Sequence, residues 1–300
     1  MAMKMSMGEK VFEKFNYIIL TILAFLTVYP FIYIISNSVS SLDAIMKQEV
    51  YLLPKGINID SYKLVFKHGG ILTAYYNTIW YTVVGTAISV FLTTSSAYPL
   101  SRKTYSIRSQ LMVYFAITMY FGGGLVPVFI LVNQLGLYNT RWVMVILGAV
   151  GVSNMVIARV FFQTNVPEEM TDAARIDGAN DVIIYFKIAL PLSKAVVAVL
   201  TLQYAVSHWN DFFKAMIYLN ETHLQPLALY LRRLLIMGTA VEFAGEQEER
   251  LREMDQFALN AVSQQFKYAS VVITMLPIMC FYPFLQKYFV KGIMVGAIKE

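Results

Sequence analysis

Charge, cysteine and histidine are all scarce in this chain, and each shortage removes a class of function. Only 14% of its 300 residues are charged and 57% are hydrophobic, whereas a soluble domain carries about 25% charged and about 45 to 50% apolar residues. Such a balance belongs to a polytopic membrane protein. The net charge of +5 is spread without any long basic run, which points to basic loops at a membrane surface and away from a nucleic-acid partner. A single cysteine, Cys280, lies in an apolar run, so neither an intrachain disulfide nor a cysteine-rich metal site is expected. His68, His208 and His223 are far apart in sequence, and none has a neighbour at metal-ligand spacing. They read as polar helix-end or loop residues. None of the 16 glycines is followed by lysine, so the Gly-x-x-x-x-Gly-Lys-Ser/Thr phosphate loop is absent. No serine or cysteine stands in a recognisable nucleophile motif. Neither a catalytic residue nor a bound metal is expected.

What the chain does have is long apolar runs. Windows of roughly 20 residues, the length a bilayer requires, place transmembrane helices at 15–39, 74–99, 111–132, 142–162, 195–219 and 269–289. The expectation is an all-α polytopic membrane protein of six spans, a single transmembrane domain over residues 1–300. The first window is long for a secretory signal and lacks an obvious small-residue cleavage site. It is read as retained, with Ser36-Asn37-Ser38 as the site where the alternative would cleave. Orientation follows from the basic residues. With both termini cytoplasmic, the inner segments hold Lys4, Lys10, Lys14, Arg102, Lys103, Arg108, Arg175, Lys187, Lys194, Lys287, Lys291 and Lys299. The outer loops, 40–73 and 220–268, hold fewer per residue, and long loops weigh little in the rule. The 163–194 loop then faces the cytoplasm.

That loop contains the most informative segment, Pro167-Glu168-Glu169-Met170-Thr171-Asp172-Ala173-Ala174-Arg175-Ile176-Asp177-Gly178-Ala179, followed by Ile188-Ala189-Leu190-Pro191. Pro167 suits a first helical turn, and Glu168 and Glu169 complement the positive end of the helix dipole. Gly178 permits the left-handed turn that ends the helix. Asp181 is placed to cap a second short helix that stops before Pro191. Met170, Ala173, Ala174 and Asp177 recur at i, i+3, i+4 and i+7, a narrow face that a partner surface can approach closely.

The spacing of Asp172-Ala-Ala, Gly178 and Ile188-x-Leu-Pro191 resembles the EAA motif of permease subunits in binding-protein-dependent ABC importers. Two positions depart from that pattern: Asp172 stands where the family usually has Glu, and Ala195 where a proline is common. The stretch from Tyr282 to Lys299 is similar to the tail of the carbohydrate-uptake, maltose-type branch. This resemblance implies a type I importer, MetI-like fold in the bacterial cytoplasmic (inner) membrane. It also implies a homologous partner permease, a dimer of ATPase subunits that bind ATP and Mg, an extracytoplasmic solute-binding protein and a sugar oligomer as cargo. By the same resemblance the 163–194 loop is the coupling helix that sits in an ATPase cleft, and Glu169, Met170, Asp172, Ala173, Ala174, Asp177, Gly178, Leu190 and Pro191 are its coupling residues.

Candidates for a substrate path come from irregularities inside the apolar windows. Ser207-His208-Trp209-Asn210-Asp211-Phe212-Phe213-Lys214 interrupts the fifth window roughly 20 Å from its inner end, at 1.5 Å per residue. Polar groups at that depth face a bundle interior or a cavity. Asp211 and Lys214 are spaced to share a face. Trp209 offers a ring surface and Asn210 a donor and acceptor, the equipment for a sugar; an interfacial aromatic belt and a helix cross-link are the other readings. Tyr120-Phe121-Gly122-Gly123-Gly124-Leu125-Val126-Pro127 predicts a bend, either a hinge or a close-packing kink. Tyr120, Trp80 and Tyr204 are further lining candidates, with core packing or lipid contact as the alternative. Arg159 reads as a snorkelling side chain without a special role. A rival functional class is an ion-gradient-driven secondary transporter, for which Asp211 is the only deep acid.

Overall fold

The computed structural model describes residues 6–67, 70–237, 260–277, 279 and 280. The acidic stretch Glu242–Asp255, the tail from Tyr282 and much of the 269–289 window lie outside the described residues. The chain forms two compact units, one of residues 1–69 and 233–276 and one of residues 70–232 and 277–300.

In the first unit, α1 (Met7–Ser38) starts well before the apolar window. Ser6 accepts from the Glu9 amide while the Glu9 carboxylate accepts from the Ser6 amide, a capping box that fixes the first turn ahead of Lys10, Glu13 and Lys14. Large apolar side chains, among them Phe12, Ile18, Leu23, Phe25 and Leu26, are exposed along it, and only Ser36, Asn37 and Ser38 at its end are buried. Beyond it come α2 (Leu42–Met46), an isolated bridge between Ser40 and Ile57, and α3 (Asp60–Lys67). A helix over 260–277 closes this unit through Gln265. The Gln265 side chain accepts from Ser61 Oγ at 2.8 Å and donates to the Ser40 carbonyl at 2.7 Å. A buried amide so paired specifies where the connecting segment must lie.

The second unit is organised on α4 (Gly70–Ser101), against which the later helices pack. Its buried positions include Asn77, Thr78, Tyr81, Gly85, Thr86, Ser89, Thr93, Thr94 and Ala97, while Val83 and Phe91 are exposed. Small and hydroxyl-bearing residues therefore line the packed face, which lets helix backbones approach and bond to each other where surrounding lipid gives no hydrophobic drive to associate. Next are α5 (Arg108–Tyr120), α6 (Leu125–Gln134), α7 (Arg141–Ile146) and α8 (Val152–Asn165). They are followed by α9 (Glu168–Ile176), α10 (Asp181–Ile184), a π-helical turn (Tyr185–Ala189) and α11 (Leu190–Leu192). The unit ends with α12 (Lys194–Trp209), α13 (Phe212–Tyr218) and α14 (Leu227–Met237), the last running over the boundary at Arg232.

Among the described residues, α1 and α4 are each long and apolar enough to cross a membrane. Two bent pairs pass the same test when each is taken as one element: α5 with α6, bent by 113°, and α10–α11 with α12, bent by 83°. The first bend falls at Tyr120–Gly124, where the glycines predicted it, and Gly124 takes φ +81°. Two other windows contain breaks that apolar composition hides. The 142–162 window is split between α7 and α8 by Leu147–Gly151, where Gly148 takes φ +83°. The 195–219 window is split between α12 and α13 at Asn210–Asp211.

The segment after Gly178 also differs from expectation. Asn180, not Asp181, is the cap: its side chain accepts from the Ile183 amide at 2.9 Å, and Asp181 is the first helical residue. Nor does the helix stop before Pro191. The π turn widens it so that the Leu190 amide donates to the Tyr185 carbonyl, five residues back. Pro191 sits in the first turn of α11, where its missing amide and fixed φ are tolerated.

Candidate coupling surface and translocation path

The loop that the sequence marks for docking is built on α9. Thr171 is buried and its hydroxyl donates to the Glu168 carbonyl at 2.7 Å, while Ala174 packs toward the core formed by Tyr98, Phe162, Ile184 and Leu200. Glu169, Met170, Asp172, Ala173 and Asp177 are exposed on the remaining surface. Met170, Ala173 and Asp177 thus lie outward as the spacing predicted, whereas Ala174 turns inward. Ile176, 87% exposed, and Val182, 63% exposed, extend the outward surface. Their sequence signal was available: branched apolar residues within a charged segment. The chain leaves the helix at Gly178, with φ +83° and open space where a Cβ would be. Glycine is needed there for the backbone angle alone. Arg175 joins the two short helices, donating to Asp181 at 3.0 Å and to Asp172 at 3.5 Å. The hydrogen bond to Asp181 raises the Arg175 pKa above the usual arginine value. Leu190 packs partly into the core and Pro191 is exposed.

Beneath this surface, two arginines fasten the neighbouring helices to one another. Arg102, just past the end of α4, donates to the Phe162 carbonyl at 2.7 Å and the Val166 carbonyl at 2.8 Å, capping the end of α8. Arg159, within α8, donates in return to the Leu100 carbonyl at 2.9 Å, near the end of α4. Each helix terminus leaves unpaired carbonyls, and here each is satisfied by a cation from the other helix, which also opposes its dipole. Arg159 therefore has a structural role that the snorkelling reading missed. Arg102 is buried, which draws its guanidinium below the usual arginine value against the opposing pull of Tyr98 and Glu168. The π turn is tied to α4 as well: the Tyr185 hydroxyl lies 2.8 Å from Thr94 Oγ1, and its ring lies 5.5 Å from that of Tyr98.

The path candidates occupy separate settings. Tyr204 is buried, its hydroxyl 2.7 Å from Thr93 Oγ1 and accepting from the Gly151 amide at 3.0 Å. It joins α12 to α4 and caps the start of α8. Trp209 is half-buried at the end of α12; Asn210 is exposed and its side-chain amide donates to the Val206 carbonyl at 2.9 Å. Asp211 caps α13 by accepting from the Lys214 amide at 3.2 Å, and its carboxylate pairs with Lys214 Nζ at 2.8 Å. Lys214 also donates to the Met144 carbonyl at 3.3 Å, near the end of α7. Trp80 meets Tyr81 and Trp142 edge-on, with centroids 5.6 and 5.8 Å apart, and Arg141 lies over its face. Tyr120, 80% exposed, stands at the α5–α6 break.

His208, by sequence a polar helix-end or loop residue, stands in the last turn of α12. His208 is buried, 3.4 Å from Ser89 Oγ, and its ring fills the space beside Gly85, where a Cβ would approach to 2.7 Å. Gly85 is thus required for room. A glycine and a histidine, each isolated in an apolar helix, were the only sequence traces of this contact.

A family model described as binding-protein-dependent transport system inner membrane component matches residues 68–295. The chain is 36% identical to Protein LplC of Bacillus subtilis (strain 168) over 97% of this chain and 95% of that protein. It is 34% identical to the polygalacturonan/rhamnogalacturonan transport system permease protein YtcP of the same organism, over 98% of this chain and 100% of that protein. Among solved structures, a chain from the crystal structure of a bacterial ABC transporter involved in the import of the acidic polysaccharide alginate aligns with a TM-score of 0.87. That chain is 33% identical, over 95% of this chain and 99% of its own length.

Proposed function

This chain belongs to the family of binding-protein-dependent transport system inner membrane components, and we propose that it lines, with a homologous partner permease, the pathway of an ATP-driven oligosaccharide importer. The family is a transport permease component and not an enzyme, and the fold is a mostly helical, MetI-like permease fold. In this reading the chain crosses the bacterial cytoplasmic membrane six times with both termini inside. A solute-binding protein delivers the sugar from outside, and a dimer of separate ATPase subunits holds ATP and Mg. The cargo class follows the relatives. One is named for polygalacturonan and rhamnogalacturonan and another for the acidic polysaccharide alginate, which favours an acidic oligosaccharide.

The observation that carries this reading is the surface of α9 and α10. Met170, Ile176 and Val182 are exposed there, on a loop tied to α4 through Tyr185 and through the bond from Arg102 to the Val166 carbonyl at its start. Exposed apolar side chains on a rigid base fit a protein partner that pushes. Motion of this loop acts first on α4, which also carries Thr93 and Ser89 against Tyr204 and His208 on α12. Asp211 gives the ion-driven alternative no support, because its carboxylate is paired with Lys214.

The test is purification from native membranes through a tag on this chain, with ATPase and uptake assays on wild type and Gly178→Asp. An ATPase, a second permease and a binding protein should co-purify, and the variant should lose coupled hydrolysis, since an L-residue is strained at φ +83°. A chain that purifies alone, or an assembly indifferent to the substitution, overturns the proposal. So does uptake that persists without ATP while an ion gradient is maintained.

A further inference from the structure

Beside the arginine clamp lies a cleft of about 520 Å³ lined by Arg102, Lys103, Arg108, Arg159, Glu168 and Glu169. Four basic side chains meet there against two carboxylates. Their bonding state differs. Arg102 spends its donors on the Ser101 hydroxyl and the Phe162 and Val166 carbonyls, which neutralise none of its charge. Among the described residues Arg159 commits only Nε, to the Leu100 carbonyl. Lys103 approaches Glu168 no closer than 3.7 Å, and both side chains are well exposed. Such a pair is worth little. Arg108 has no hydrogen-bond or ion-pair partner for its guanidinium among the described residues. The cleft is therefore an under-compensated cationic pocket, partly walled by buried groups that focus its field.

A second feature adjoins it. From Ser109, which also lines the cleft, α5 continues with Val113 and Ala116 exposed and apolar on the same strip, one and two turns on, while Leu111, Met112 and Phe115 pack inward. A ligand with an anionic head and an apolar tail matches the cationic cleft and the apolar helix face together, as neither a free anion nor an acidic peptide does. We propose that this cleft binds the phosphate of an anionic phospholipid, with an acyl chain along α5. The placement at the cytoplasmic leaflet rests on the orientation given above; basic pockets between membrane helices on that side suit such headgroups. The lipid would bridge α5 to the arginine clamp and brace the base of the coupling loop at Glu168 and Glu169.

The experiment is native mass spectrometry of the purified assembly, released from nanodiscs of phosphatidylcholine with phosphatidylglycerol, for wild type, Arg108→Gln and Arg108→Lys. Retained phosphatidylglycerol should fall about fivefold in Arg108→Gln, the worth of one cation at an anionic surface, and recover in Arg108→Lys. Equal retention in all three overturns the proposal. Displacement of the lipid by inorganic phosphate alone overturns it in favour of a free-anion site. Loss of the ATPase from Arg108→Gln with retention unchanged overturns it in favour of an acidic protein partner. Lipid retention is read independently of uptake, so the importer reading stands or falls separately.

Discussion

The helices α1 and α4 are both 32 residues long and both apolar enough to cross a membrane, yet their polar side chains serve opposite ends. Along the apolar stretch of α1 the hydroxyls of Thr21 and Thr27 return to carbonyls of their own helix, and contacts to other segments come at its end, where Ser36 bonds to the Leu52 carbonyl and Ser38 to the Tyr62 hydroxyl. In α4, Thr93 and Thr94 reach tyrosines of other segments, Ser89 reaches a histidine, and Gly85 makes room for that histidine's ring. Length and apolarity pass both as membrane spans. The difference is one of address: a hydroxyl bonded to its own backbone lets a helix be wrapped in anything apolar, whereas one bonded across fixes a particular neighbour.

The largest effect should come from filling the space that α4 keeps open. Gly85→Leu drives atoms into the His208 ring and is expected to destabilise by about 3 kcal/mol, read as a lower unfolding midpoint in detergent. Ala24→Leu in α1 should leave the midpoint nearly unchanged, and equal losses from the two substitutions would break the contrast. Next is Arg102→Met, which strips the Phe162 and Val166 carbonyls of a charged donor. A loss of about 2 to 3 kcal/mol is expected, with ATP hydrolysis continuing while uptake falls; uptake and hydrolysis falling in step would remove the clamp from the coupling route. Tyr204→Phe should cost about 1 to 2 kcal/mol, because the Gly151 amide loses its acceptor and Thr93 its partner. The smallest effect belongs to α1: Thr27→Val should change stability by less than about 0.5 kcal/mol. A larger loss would mean that Thr27 has a cross-helix partner after all.

Legibility followed the range of the interaction. The Glu168–Gly178 segment was readable because its cues are local: acids at a helix start, a glycine where φ must be positive, and an acid-Ala-Ala pattern at fixed spacing. Asn180 in place of Asp181 is a one-residue shift that propensity cannot separate, since either side chain caps well. The π turn was invisible because it is a response to packing: Tyr185 is drawn to Thr94, and the widened turn accommodates Pro191. The breaks at Leu147–Gly151 and Asn210–Asp211 were masked by windows averaged over apolar residues. Tyr204 stood out as an aromatic for a substrate, but its hydroxyl is taken up by Thr93 and Gly151.

Composition and local motif alone determined that the chain lives in a membrane, holds no Gly-x-x-x-x-Gly-Lys-Ser/Thr sequence and carries an acid-Ala-Ala helix ended by Gly178 between its fourth and fifth windows, because burial preference and backbone angle are properties of short stretches. Only the tertiary structure decided which helix is the central post, that Arg102 and Arg159 cap each other's helices, and that Gly85 and His208 interlock. Each of those facts depends on two residues distant in sequence meeting at contact distance, and no window along the chain contains both.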